Sequence, residues 1–365
     1  MTTPDAMPCS APRPVPHGGA RGVPADHAVR IDLSTNVNPY GAPPSVLQAA
    51  RAADLSAYPD PTSHEARAAA ARAWQCPLEN IAFGAGVSEL LPALCSAQLR
   101  RDDCVVLAAP IYGEYARAAQ LCGARVVSVR QLTGTSRTDR LIAALRQSQA
   151  RMLVVVAPGN PLGERWGADE LAVLADAAQQ GDALLVIDQS YDAFLDVPLG
   201  DPVLRGHPVV VHLRSLTKDL AIAGVRAAYA VGPPGVICEL ETQRAPWAAS
   251  APAQAAAVAS FAPDAQLHVT HTTRALRRDV ARFAHDLRAR GVTVHDTDVH
   301  WLLCELSAEH VLQLECEAGV RVRTLDDHDL SGLARIVTPA TSRHDAVVDA
   351  IADVFTSRRH HTEHT

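Results

Sequence analysis

The chain has 365 residues, enough for two domains, and its 33 basic and 40 acidic residues leave a net charge of −7. The charges are spread without long runs of one sign, which argues against nucleic acid as a partner. The longest apolar stretches run to single digits, too short for a membrane-spanning helix, and the first thirty residues lack the apolar core of a secretion signal. We therefore expect a cytoplasmic protein with a sizeable hydrophobic core.

Residues 46–250 alternate helical and strand patterns. The strand segments are short β-branched runs without polar alternation, which is typical of strands covered on both faces, and the helices between them indicate crossovers. The sequence therefore predicts an α/β fold built on a large, doubly wound, mostly parallel sheet. Its strands are expected at Ile81–Gly84, Cys104–Ala109, Ala124–Val129, Met152–Ala157, Leu184–Asp188, Pro208–Leu213 and Ala227–Gly232.

The pattern changes at Ala251, where a long helical stretch runs to Arg290 and short strands and helices follow. This pattern predicts a smaller α+β domain. We expect an N-terminal arm and part of the small domain in residues 1–45, the large domain in 46–250, and the rest of the small domain, with a disordered tail, in 251–365. The eight scattered cysteines and the histidine-rich tail favour neither disulfides nor a metal site.

The lysine content is the most informative feature of the composition. A chain of this length ordinarily carries on the order of twenty lysines, yet this one has only Lys218, beside 32 arginines. Arginine can replace lysine wherever a fixed positive charge is enough, whereas only lysine supplies a primary amine that loses its proton and attacks a carbonyl. We therefore predict that Lys218 forms a Schiff base.

The residues around Lys218 indicate what carries that carbonyl. Hydroxyls and a guanidinium in the segment 215–226 suit a phosphate, and so does the glycine-containing loop 84–88 that joins a strand to a helix. Asp188 ends a buried strand and supplies a carboxylate for an aromatic nitrogen. An aldehyde, a phosphate and an aromatic nitrogen together describe pyridoxal 5′-phosphate.

From about residue 31 to residue 355, the chain resembles fold-type I pyridoxal-phosphate enzymes of the class I/II aminotransferase group, in the branch of histidinol-phosphate aminotransferase and threonine-phosphate decarboxylase. Several of the motifs are individually loose, but their order and spacing are specific. They are Asn36-Val-Asn38-Pro-Tyr40-Gly, Tyr58-Pro-Asp-Pro, Asn80-Ile-Ala-Phe-Gly-Ala-Gly, Pro110-Ile-Tyr112-Gly-Glu-Tyr115, Asn160-Pro161-Leu-Gly163, Asp188-x-x-Tyr191, Ser215-x-x-Lys218 and Arg335-Ile-Val-Thr.

The resemblance implies a role for each of these residues toward the cofactor. Lys218 would carry the Schiff base and move the substrate proton, Asp188 would hold the pyridine nitrogen protonated, and Tyr112 would stack on the ring. Tyr191 and Asn160 would bind the 3′-oxygen. The residues implied at the phosphate are Gly86, Val87, Ser88, Ser215, Thr217 and Arg226.

The resemblance also implies substrates and a partner. Arg335 would bind the substrate carboxylate, a bidentate task that favours arginine, and Asn36 and Tyr40 would be further substrate ligands. Arg323 is predicted as a substrate ligand from its positive charge close to Arg335 in the sequence, with a solvated basic face as the alternative. An amino donor and a keto acid would be the reactants. Tyr58 would reach the cofactor phosphate of the partner subunit, so a homodimer with shared active sites is expected.

The motifs leave the reaction open between two members of this branch. Leu162 stands where the family usually has threonine, and Val37 resembles the decarboxylase form, whereas Tyr40 resembles the aminotransferase form. An aminotransferase is the first expectation and a threonine-phosphate-type decarboxylase the alternative. A nicotinamide-dependent dehydrogenase would need a G-x-G-x-x-G motif after its first strand, and this sequence has none there. A catalytically inactive protein would not need Lys218. Tyr115 is interpreted as a ring that packs its helix.

Overall fold

The computed structural model describes residues 12, 14–19, 29–130, 136–199 and 204–356. The predicted disordered tail and most of the predicted N-terminal arm lie outside these residues. The strands are β1 (Ile31–Asp32), β2 (Ile81–Gly84), β3 (Cys104–Ala109), β4 (Arg125–Arg130), β5 (Met152–Val156), β6 (Leu184–Asp188), β7 (Val210–Ser215), β8 (Ala228–Val231), β9 (Val294–His295), β10 (Trp301–Glu305), β11 (Val320–Arg321), β12 (Arg323–Thr324) and β13 (Leu333–Val337). The helices are α1 (Pro44–Ala52), α2 (His64–Trp74), α3 (Val87–Gln98), α4 (Glu114–Leu121), α5 (Arg137–Ser148), α6 (Ala168–Gln180), α7 (Pro234–Thr242), α8 (Ala251–Ser260), α9 (Pro263–Ala289), α10 (Ala308–Cys316) and α11 (His344–Thr356).

Seven strands form the large sheet, in the order β2-β8-β7-β6-β5-β3-β4. Strand β8 is antiparallel to both of its neighbours, and every other pair in the sheet is parallel. All five residues of β5 are buried, with Val154 in the hydrophobic cluster on one face and Val155 in the cluster on the other. Burial on both faces explains the lack of polar alternation, and the prediction of a doubly wound, mostly parallel sheet is confirmed.

The smaller sheet has the order β12-β13-β10-β9 and is antiparallel. Strand β1 pairs in parallel with β11, so the chain that precedes α1 packs with the C-terminal part of the molecule. A cluster centred on Trp301, Leu302 and Ile336 fills the space between this sheet and helices α9 and α11. The predicted domain boundaries at 45 and 250 stay a prediction.

Two details of the helices differ from the sequence prediction. The continuous helical stretch expected to begin at Ala251 is two helices, because the extended backbone of Ala262 precedes Pro263, and proline at a first helical position begins a new helix. Helix α7, which starts with Pro234 at its first position, was not predicted. Within the described ranges, no helix combines the length and the apolar character needed to cross a membrane.

Candidate active site

A cavity of about 550 Å³ opens at the carboxyl ends of β5, β6 and β7, where ligands bind in sheets of this kind. Strand β13 of the smaller sheet and the segment 15–18 close its other side. Fourteen of the sixteen predicted site residues line it. They are Asn36, Gly86, Val87, Ser88, Tyr112, Asn160, Asp188, Tyr191, Ser215, Thr217, Lys218, Arg226, Arg323 and Arg335.

One end of the cavity is a set of hydrogen-bond donors. Helix α3 begins there, so its free backbone N–H groups face the space beside Ser88. The Arg226 guanidinium donates to Ser88 Oγ at 3.2 Å, and the Ser215 and Thr217 hydroxyl oxygens are 2.6 Å apart. Among the described residues no carboxylate pairs with Arg226, so this end fits a phosphate.

Gly86 makes the close approach of these donors possible. Its φ is +99° and its ψ is 161°, a backbone conformation that is essentially restricted to glycine. A Cβ at this position would lie 2.5 Å from a terminal nitrogen of Arg226.

We expect Gly86→Ala to weaken phosphate binding, because the new methyl group displaces the Arg226 guanidinium. The expected loss is roughly tenfold or more in affinity for pyridoxal phosphate, together with about 1–3 kcal/mol of stability from the strained backbone. Titration of the apoenzyme and thermal unfolding measure the two effects separately. Gly224→Ala is the matched control, since a Cβ there meets nothing within 4 Å; equal effects of both variants would contradict the explanation.

Asp188 occupies the end of β6, where its carboxylate is almost fully buried. Tyr115 donates to Oδ2 at 2.5 Å, and Ser190 donates to Oδ1 from its hydroxyl at 2.5 Å and from its backbone N–H at 2.8 Å. Burial raises the pKa of Asp188, and these hydrogen bonds oppose the shift. The carboxylate thus fits the protonated nitrogen of a pyridine ring.

Lys218 lies three residues beyond the end of β7 and is half-buried at the cavity wall. Its carbonyl accepts from the backbone N–H of Asn38 at 2.9 Å, which ties the lysine loop to the N-terminal segment through the main chain and leaves the side chain unconstrained by this contact. The primary amine therefore shares one cavity with the Asp188 carboxylate and the donors at the start of α3.

The opposite end of the cavity contains a buried cation. Arg335 lies in the middle of β13 and donates to Asn160 Oδ1 and to the Ser34 carbonyl oxygen. Burial lowers the pKa of Arg335 to about 10, so the guanidinium is still protonated at neutral pH. Its Nε has no hydrogen-bond partner, and within the described part of the chain no carboxylate forms an ion pair with it.

Asn36 supplies a second unsatisfied group in the same cavity. The residue is 3% exposed, and neither its amide nitrogen nor its amide oxygen has a hydrogen-bond partner in the structure. A buried amide without partners costs about 1–3 kcal/mol, so it fits a polar ligand.

The remaining charges in the cavity are paired with each other. Arg323 donates to Asp327 at 2.6 Å and to the Pro16 carbonyl oxygen at 3.1 Å. On the other wall, Glu114 lies 3.3 Å from Arg117 and 3.2 Å from the His17 ring nitrogen. Arg323 therefore lines the cavity as predicted, but an acidic neighbour already compensates its charge.

Tyr40 and Tyr58 lie outside the cavity. The Tyr40 hydroxyl donates to Asp279 on α9 and lies 2.9 Å from the Thr341 hydroxyl, so this structure gives no support to a role in substrate binding. Tyr58 is 82% exposed, and its ring is 4.9 Å from the ring of Trp247. It does not reach the cavity of its own chain.

Two ligands of Asp188 were not predicted as functional residues. Tyr115 was interpreted as a packing ring, and Ser190 was one of the unassigned positions in Asp188-x-x-Tyr191. Both residues belong to motifs that the sequence analysis identified. Their positions within those motifs were the one sign in the sequence that they could have a functional role.

The model of the family "Aminotransferase class I and II" matches residues 29–352, nearly the whole described chain. The chain belongs to the class I and II aminotransferase family. An aromatic amino acid aminotransferase from Thermobifida fusca is 34% identical to it over 298 residues, which are 80% of this chain and 82% of that protein. A histidinol-phosphate aminotransferase from Roseiflexus castenholzii is 29% identical and covers 91% of both chains.

The aminotransferase also matches solved structures over most of its length. Histidinol-phosphate aminotransferase from Sinorhizobium meliloti, solved in complex with pyridoxal 5′-phosphate, superposes with a TM-score of 0.82 at 25% identity and covers 90% of this chain and 91% of that one. The predicted family, fold class and enzyme class are confirmed. The predicted cofactor is the one that the Sinorhizobium meliloti enzyme binds, and the donor set of this cavity fits it.

Proposed function

We propose that this aminotransferase transfers the amino group of an α-amino acid or a phosphorylated amine whose acid group binds Arg335. The observation that carries the proposal is the buried Arg335 guanidinium, which has no acidic partner among the described residues. An uncompensated buried charge costs several kcal/mol, and an anionic group on the substrate offsets that cost. The unpartnered amide of Asn36 in the same cavity adds a donor for it.

The other polar side chains of the cavity have distinct tasks. Bound pyridoxal phosphate supplies an electron-withdrawing ring that makes a substrate C–H bond acidic. Lys218 would hold the cofactor through Nζ and would be the group that moves the substrate proton. The Asp188 carboxylate would hold the proton of the ring nitrogen, Asn160 would donate its amide N–H to the cofactor, and Tyr112 would pack against the ring.

The pairing of the remaining charges limits the substrate further. Arg117 and Arg323 already have acidic partners, so among the arginines that line the cavity Arg335 and Arg226 are the two that form no ion pair with an acidic side chain of the described residues. Arg226 is assigned to the cofactor phosphate. A single acid group on the substrate therefore matches the cavity. Aromatic amino acids and histidinol phosphate meet this description.

Half-reactions of the holoenzyme test the proposed reaction. Each amino donor is added alone, without a keto acid, and the cofactor spectrum, the released CO₂ and the keto product are measured. Phenylalanine, tyrosine, histidinol phosphate, aspartate and threonine phosphate form the panel. Conversion of the cofactor to pyridoxamine phosphate by the first three substrates is expected. Release of CO₂ without that conversion would instead establish the decarboxylase.

We also propose a homodimer with shared active sites. Tyr58 stands on a loop in which Asp60 accepts from the backbone N–H groups of Thr62 and His64, at 2.9 Å and 2.7 Å. An exposed tyrosine on a loop held by hydrogen bonds is suited to contact a second chain. Trp247 beside it is 45% exposed and enlarges the apolar surface. The cofactor phosphate of the partner subunit is the proposed contact.

A mixture of two inactive chains tests the shared site. In a heterodimer of Lys218→Ala and Tyr58→Phe, one site would receive both intact residues, and about half of the native activity per dimer should return. The two chains carry different affinity tags so that heterodimers are purified away from homodimers. No recovery, with Tyr58→Phe alone strongly impaired, would show that the sites are not shared; a monomer in light scattering would refute the dimer itself.

A further inference from the structure

The hydrogen bonds around Asp188 leave one acceptor position open. An ionised carboxylate has about four lone-pair sites. Tyr115 uses one on Oδ2, and the hydroxyl and backbone N–H of Ser190 use two on Oδ1. Asp188 lines the cavity, so its fourth lone-pair site is available to a ligand there. The three donors hold the carboxylate in a fixed orientation.

Tyr115 is placed where a phenylalanine would satisfy packing alone. The side chain is 1% exposed within the apolar cluster on one face of the large sheet, and its ring packs edge-on against Tyr112 at 6.3 Å and 83°. A buried hydroxyl costs free energy unless it is hydrogen-bonded, and the Tyr115 hydroxyl donates to Asp188. Burial and the neighbouring Asp188 raise the pKa of Tyr115, so the hydroxyl stays a donor.

We propose that Tyr115 and Ser190 are positioning residues that keep Asp188 ionised and correctly aimed, and that they thereby set how tightly the protein holds its cofactor. The proposal rests on the proposed function, in which Asp188 accepts from the ring nitrogen. The physical reason is the opposition between burial and hydrogen bonding. Burial favours the protonated acid, which presents an O–H in place of an acceptor, whereas the three donors stabilise only the anion.

Tyr115→Phe tests the positioning role directly. The variant keeps the ring and its contact with Tyr112 and removes a hydrogen bond to a charged group, so the affinity of the apoenzyme for pyridoxal phosphate should fall roughly tenfold or more. Equilibrium titration of apoenzyme prepared from the holoenzyme measures this without any turnover. Tyr229→Phe is the matched control. It loses a buried hydroxyl that accepts from Trp74 Nε1 at 3.0 Å, away from the cavity, and should leave the affinity unchanged.

A double-mutant cycle separates positioning from a general structural role. If Tyr115 acts through Asp188, then Tyr115→Phe should weaken cofactor binding by less than about threefold in an Asp188→Asn background. Equal losses in both backgrounds would overturn the proposal. Should Tyr115→Phe fail to fold, Ser190→Ala in the same cycle decides, with Ser260→Ala as its control, because Ser260 is a buried serine that donates to the Ala257 carbonyl oxygen.

The outcomes also distinguish this proposal from the function on which it rests. Weak binding by Asp188→Asn, with native binding by Tyr115→Phe and Ser190→Ala, would refute the positioning role and leave the assignment of Asp188 intact. Native binding by Asp188→Asn itself would refute that assignment.

Discussion

Replacement of Lys218 by arginine should lower kcat by about 10⁴-fold or more, because the variant keeps a positive charge and loses both the covalent attachment and the proton transfer. The fold should survive, since Lys218 contacts the surrounding backbone through its carbonyl oxygen, which accepts from the backbone N–H groups of Asn38 at 2.9 Å and of Ala221 at 3.2 Å. Circular dichroism and thermal unfolding check the fold, and single-turnover kinetics check the loss.

The single lysine makes the covalent attachment easy to locate. Borohydride reduction of the holoenzyme followed by peptide mass mapping should place the cofactor on Lys218. Arg101→Lys is the control, because it adds a second lysine at an exposed position; the adduct should remain on Lys218 alone. A reduced, coloured sample in which Lys218 is unmodified would refute the assignment.

Residue chemistry is the reason why much of the site could be predicted. Lys218 is the single lysine of the sequence, Asp188 is a carboxylate at the end of a buried strand, and the ends of parallel strands meet at one edge of a sheet. The large sheet was predictable because its strands are buried on both faces and so appear as uninterrupted apolar runs.

The contacts that sequence did not reveal join distant parts of the chain. Tyr115 and Asp188 are 73 residues apart, and a tyrosine in an amphipathic helix gives no sign of where its hydroxyl points. Tyr40 stands in a motif of substrate-binding residues, yet its hydroxyl donates to Asp279. Arg323 was predicted from its charge, and the acidic partner Asp327 that compensates it became visible in the folded chain.

Arg335 and Arg323 are the two candidates for binding the acid group of the substrate, and a double variant distinguishes them. A neutral pair can be removed without leaving a charge behind, so the double variant Arg323→Ala/Asp327→Ala should change kcat/KM by less than about fivefold. If Arg323 were the anchor, this double variant would lose activity toward every acidic substrate while Arg335→Ala retained it.

Arg335→Ala should lower kcat/KM about thirty- to a thousandfold for substrates with an acid group, because a lost bidentate, charge-assisted contact costs roughly 2–4 kcal/mol. An amine without the acid group should react with both enzymes at similar rates, since it never used the contact. Arg335→Lys should recover only part of the loss, because a lysine lacks the planar fork that also reaches Asn160 and the Ser34 carbonyl oxygen. Unchanged kcat/KM for acidic substrates in Arg335→Ala would show that the buried guanidinium supports the cavity wall and binds no substrate.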